Sequence, residues 1–292
     1  MFSSFSGSFR AGRRPKKKVA SAPLWTPSFI SPSAWIDASD TNSYTVSGTT
    51  LQNSNNVSKQ YDKSGNFNMQ VDGTPTRLID LNGMYVFDFN GNESLISSAG
   101  GTYANNGNHW AIGVYEWHNI TTTKDSFWSA EANSRSYAVS ASTTSQKWLG
   151  EIDYDGANTI TGLGYARNTF YNQTLNNPPT TIPSNTWAII SVVFNKSGNQ
   201  IFGRINGVLE TDIHPYQNKL DNNCLDLRMM RNRSGKKQNG RMAEYFHKAG
   251  VAGTGGTDIS DVEKAEGYLA HKWGLTGNLP NTHPYKNSAP TQ

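Results

Sequence analysis

The chain has 292 residues, a formal net charge of +4 and a single cysteine, with 35% apolar and 16% charged residues. That length admits one large all-β domain or two smaller ones. Cys224 alone excludes an intrachain disulfide, and no apolar run is long enough for a membrane-spanning helix. The basic excess is local, because residues 1–24 carry six basic residues and no acid, which leaves the rest of the chain at −2 and excludes a broadly basic nucleic-acid-binding body.

Residues 1–30 show no periodic pattern. Phe2, Phe5 and Phe9 are spaced by Ser and Gly, then come Arg10, Arg13, Arg14, Lys16, Lys17 and Lys18, then Pro23 and Pro27. This reads as an extended arm with no core of its own. It lacks an apolar leader segment, so no secretory signal is expected. Three readings compete for the basic run: a nuclear localisation signal, a contact with nucleic-acid phosphates, or an anchor to another subunit. The anchor also uses the phenylalanines, which would fill pockets while the cations pair with acids.

Strand signals begin at Trp35. Met84–Phe89 places Tyr85, Phe87 and Phe89 on one face, and Trp110–Trp117 alternates in the same way. Trp187–Phe194 is apolar on both faces except at Ser191, as suits a central strand. Ile201–Ile205 and Val208–Leu209 flank an Asn206-Gly207 hairpin turn. Leu225–Met230 and Met242–His247 complete the set. The spacing predicts an all-β, two-sheet antiparallel jelly-roll sandwich over residues 31–292. One helix is predicted at about 259–273. Val262, Ala265, Leu269 and Trp273 form its apolar stripe, Ser260 and Glu263 a capping box, and Gly274 its left-handed stop.

The run GYLAHKWGLTGNLPNTHPY ending at Tyr285 resembles the C-terminal signature of laminin-G-like (concanavalin A-like) jelly-roll domains in bacterial and phage proteins. Trp35-Ile36-Asp37-Ala38-Ser39-Asp40, Tyr61-Asp62-Lys63-Ser64-Gly65 and Phe87-Asp88-Phe89-Asn90-Gly91 fit the same pattern. The resemblance covers about Trp35 to Tyr285. Together with the arm, it implies a non-enzymatic virion component: a decoration, knob or fibre-associated module on a capsid or tail. Such a protein would contact other virion subunits and its own copies, and bind host-surface glycans.

Glu151-Ile152-Asp153-Tyr154-Asp155 sets three carboxylates on one strand face and resembles the Glu-x-Asp run of laminarinase-like glycosidases. Asp155 stands one methylene short of the Glu expected there. A glycosidase-related or lectin-like protein using Glu151, Asp153 and Asp155 is therefore the alternative reading. Trp117, Trp128 and Trp148 are candidate sugar platforms, or else core residues. Asp37, Asp40 and Asp62 offer oxygens suited to calcium or, equally, to turns; no other cofactor is expected. The six histidines show no metal-site spacing, and His271 and His283 read as structural.

Overall fold

The computed structural model describes residues 22–46, 56–66, 68–73, 75–97, 108–118, 125–132, 135–142, 147–154, 185–195, 197–198, 200–209, 226–231, 237–253 and 258–292. Between 125 and 154 the description is of backbone pairing. The expected anchor residues, Phe2 through Lys18, lie outside the described residues, as does Asp155.

Among the described residues, strands and one α-helix build three layers. The first sheet comprises β1 (Ala34–Asp37), β5 (Thr76–Ile79), β6 (Tyr85–Asn90), β8 (His109–Trp117), β12 (Ala188–Asn195), β13 (Gln200–Ile205), β14 (Val208–Leu209) and β16 (Asn239–Ala249). Its order is β14-β13-β12-β8-β16-β6-β5, with β1 pairing β16 beyond β6. The second sheet comprises β2 (Tyr44–Val46), β3 (Val57–Tyr61), β4 (Asn68–Asp72), β7 (Ser94–Ser97), β9 (Asp125–Ala132), β10 (Arg135–Ser142), β11 (Lys147–Tyr154) and β15 (Asp226–Met229). Its order is β11-β10-β9-β15-β7-β4-β3-β2. The pairings in both sheets are antiparallel, so the expected two-sheet sandwich is what the chain forms.

Alternation divides the apolar residues between two cores. Phe87, Phe89, Tyr115, Ile190, Phe194, Leu227, Met229 and Tyr245 fill the space between the sheets. Val86, Trp110, Ile112, Val114, Ile189 and Phe246 point away from it and are covered by helix α1 (Ser260–Lys272) through Val262, Ala265, Leu269 and Trp273. β12 is buried along its whole length, as its two-sided apolar pattern requires. A sheet covered by helix on one face and by a second sheet on the other explains why so polar a chain still has strands apolar on both faces.

The Asn206-Gly207 turn has positive φ at both residues, 50° and 79°, the hairpin geometry this dipeptide favours. Gly274 ends α1 at φ 72°. Two expectations change. The N-cap is Ile259 without a side-chain bond; Asp258 accepts from the Ser260 amide at 2.8 Å instead of the expected Ser260–Glu263 box. The arm, expected through residue 30, gives way to the body sooner. Leu24 bridges Thr291, the Trp25 amide donates to Pro290 O at 2.9 Å, and the buried Trp25 ring meets Tyr268 edge-on. A large indole finds enough apolar surface beside α1 to hold the backbone there.

Candidate functional site

The motif residues singled out in the sequence converge on one place, between β1, β16 and the end of α1. At its centre is Glu244, which is fully buried. A register shift between Met242 and Glu244 inserts one extra residue in β16, so Glu244 pairs with Val114, a helix-side residue. The bulge thus turns the Glu244 carboxylate toward the helix. There it accepts from Lys272 Nζ at 2.7 Å, Trp273 Nε1 at 2.9 Å, Trp35 Nε1 at 2.8 Å and Tyr268 OH at 3.1 Å. Lys272 Nζ also donates to Asp37 Oδ2 at 2.9 Å, and Lys63 Nζ donates to the same oxygen at 3.1 Å. Burial, reinforced by Asp37, raises the Glu244 pKa. Burial also pushes Asp37 up, but Lys272, Ser39 and Lys63 outweigh it and hold its carboxyl below the usual range.

The aspartates weighed as calcium ligands are held by cations and amides. Lys63 bridges Asp37 and Asp40, at 3.1 and 2.8 Å. Asp62 accepts from the amides of Trp35, Ser64 and Asn66 and from the Ser64 hydroxyl. That is an Asx-turn arrangement. Among the described residues, no group of three or more His, Cys, Asp or Glu is disposed to hold a metal.

A second buried cluster ties the C-terminal segment down. Glu266, on the buried face of α1, accepts at Oε1 from Arg204 Nε at 2.8 Å and Ser191 Oγ at 2.9 Å, and at Oε2 from Arg204 Nη2 at 3.1 Å, with His283 Nε2 also 3.1 Å from Oε2. Burial raises its pKa, but His283 and Arg204 bring it below the usual value. Ser191, the one polar residue of Trp187–Phe194, is thereby accounted for. His271 Nε2 lies 2.9 Å from Tyr285 O. A Cβ at Gly267 would overlap the Tyr285 side chain, so glycine there lets the segment lie flat on the helix. Glu244, Glu266, Arg204 and Tyr268 were missed in the sequence. The available signal was a carboxylate on an otherwise apolar stripe, in β16 and again in α1.

The other candidates fall on the second sheet. β10 pairs with β11 and β9, and β9 pairs with β15. Trp128 pairs with Val139 and Met229, and Val139 with Gly150, two residues from Trp148. Met229, at that register position, and Leu227 are buried between the sheets. Trp117 pairs with Gly240 at the end of β8. The alternate rows are polar. One runs Asp153, Ser136, Glu131, Asp226 across four strands, and the next runs Glu151, Ala138, Ser129, Arg228. Glu151 and Asp153 thus sit two apart in β11, and the register sets Glu131 and Asp226 in the same cross-strand row as Asp153.

Neither a family model nor a curated protein sequence matches the chain. Solved structures do share its fold. Domain 4 of an extracellular GH43 arabinanase from Geobacillus stearothermophilus, in complex with arabinotriose, has a TM-score of 0.47 at 14% identity, over 69% of this chain and 91% of that one. A Trypanosoma rangeli sialidase mutant with trans-sialidase activity has a TM-score of 0.50 at 8% identity, over 82% of this chain and 33% of that one. The binding domain of botulinum neurotoxin DC, in complex with rat synaptotagmin II, has a TM-score of 0.43 at 11% identity, over 77% and 52%. At these identities the likeness shows the fold alone. It corrects one expectation, that of a non-enzymatic protein: the fold is shared with a sialidase mutant displaying trans-sialidase activity, so the fold gives no ground for ruling out an enzyme. None of the three is a virion protein.

Proposed function

We propose that the chain is a carbohydrate-active β-sandwich that engages glycan on the outer face of the second sheet. The polar rows around Glu151, Asp153, Ser136, Glu131, Asp226 and Arg228 would supply the hydrogen bonds. One observation carries this reading: the register aligns carboxylates, hydroxyls and a guanidinium across four adjacent strands, in the rows that alternate with the core. Strands lie about 4.8 Å apart, close to the width of a sugar ring, so neighbouring strands would meet successive hydroxyls. The solved structures with this fold include one bound to arabinotriose and several sialidases, which sets the ligands to try first. Where two carboxylates flank a glycosidic bond, their separation decides the chemistry, and Glu151 with Asp153 is the pair to test.

The experiment is a glycan array with the full chain, alongside hydrolysis assays on arabinan, sialyl-oligosaccharides, laminarin and agarose. Glu151→Gln, Asp153→Asn and Glu131→Gln are expected to weaken binding at least tenfold while the protein stays folded. A folded wild-type chain that binds and cleaves none of these glycans would overturn the proposal.

The laminin-G-like resemblance and the virion role form a second reading, supported by where the arm is rooted. Trp25 packs among the helix-side residues, across the sandwich from the polar rows. An arm leaving from that side would fix the chain to another subunit and leave the second sheet facing out. Deleting residues 1–21 should then abolish incorporation into particles without unfolding the body.

A further inference from the structure

Lys272, Asp37 and Glu244 form a compact triad that the glycan reading does not use. An ammonium lies 2.9 Å from one carboxylate and 2.7 Å from a second. Glu244 is 0% exposed, and the Asp37 and Lys272 side chains are 4% and 19% exposed. Trp35, Tyr268 and Trp273 surround them: two donate hydrogen bonds to Glu244 from indole nitrogens, and the Trp273 ring centroid is 5.0 Å from Lys272 Nζ. In such a setting little water competes, and two reactants held at contact distance gain the advantage of an intramolecular reaction.

We infer that Lys272 and Asp37 condense to an intramolecular isopeptide bond, with Glu244 as the proton carrier. The atoms balance without an external reagent. Lys272 Nζ passes one proton along its hydrogen bond to Asp37 Oδ2, which makes the carboxyl neutral, and the freed lone pair attacks Asp37 Cγ. Negative charge gathers on Asp37 Oδ1, which the Ser39 amide and hydroxyl already address at 3.0 and 2.6 Å, in the manner of an oxyanion hole. Asp37 Oδ2, which also holds Lys63, is the leaving oxygen. It departs as water, carrying the proton it took from Lys272 and a second that Glu244 Oε2 takes from the nitrogen after attack and returns. The ion pair loses one water, the amide keeps one N–H, and Glu244 ends as it began.

The geometry selects Lys272 over Lys63. Both ammoniums reach Asp37, but Lys63 is shared with the part-exposed Asp40. Lys272 is the one that touches Glu244. Burial, which raises Glu244 toward the range where a carboxyl both takes and returns a proton, supports its part. The bond would fasten the C-terminal end of α1 to β1 across nearly the whole chain length.

Intact-mass spectrometry of the purified, denatured full-length chain tests this without any variant. The expected mass is one water below that of the sequence, and a proteolytic digest yields a branched peptide joining Asp37 to Lys272. Lys272→Arg, Asp37→Ala and Glu244→Gln should restore the full mass, while Lys63→Arg should keep the loss. The full sequence mass in a wild-type chain that unfolds cooperatively overturns the inference. So does a water loss that maps to any other pair.

Discussion

The two faces of the molecule use charge in opposite ways. On the helix side, carboxylates are buried and each is matched: Glu244 takes four donors and Glu266 is paired with Arg204 and His283. In the second sheet, the register lines up Asp153, Ser136, Glu131 and Asp226 in one row across four strands, the row proposed above to meet glycan. The first arrangement fixes how the helix sits, because a buried charge has one tolerable geometry. The second leaves hydrogen-bonding capacity for a ligand. Substitutions should therefore separate the faces: on the helix side they cost stability, on the outer face they cost binding.

The largest effect is expected from Glu244→Ala. It leaves two indole N–H groups and the Tyr268 hydroxyl without their acceptor and Lys272 with Asp37 alone, and removing one partner of a buried pair costs about 3–5 kcal/mol. Denaturant unfolding followed by tryptophan fluorescence measures it. Gly267→Ala sharpens the same side. Alanine favours helix by about 1 kcal/mol over glycine, but here its methyl meets Tyr285, and overpacking costs about 1–3 kcal/mol. The net expectation is a lower melting temperature, the reverse of an exposed helical site.

His247 gives a pH test. It is fully buried, and burial followed by His109 and Lys248 lowers its pKa well below the ordinary 6.5. The unfolded chain therefore binds its proton first, so this contribution is complete above pH 6.5 and is lost as pH falls below it. The slope should approach about 1.4 kcal/mol per pH unit, and His247→Leu should flatten it in urea melts between pH 6.5 and 5.5. The smallest stability effect is expected on the opposite face: Glu151→Gln and Asp153→Asn should change unfolding by less than about 0.5 kcal/mol. A large loss there would erase the contrast between the faces.

Much of this architecture is legible in the residues. The two-sided apolar pattern of Trp187–Phe194 announced a central strand, and Asn206-Gly207 announced its hairpin. Trp35, Asp37, Lys63, Lys272 and Trp273 stood out as motif residues before their meeting place was visible. That meeting place was hidden, because it depends on the bulge beside Ala243, a single inserted residue with no local signature. The tryptophans show a related difficulty. Strand alternation has a phase, and one step of register changes which cross-strand neighbour Trp128 meets; that neighbour is Met229, about a hundred residues away.

Hydrogen–deuterium exchange on the full chain, with and without a saturating oligosaccharide from the array, tests the central claim most directly. Slower exchange in β9, β10, β11 and β15, with α1 and β16 unchanged, is the predicted result. Protection confined to α1 and β16, with the second sheet unaffected, would contradict it.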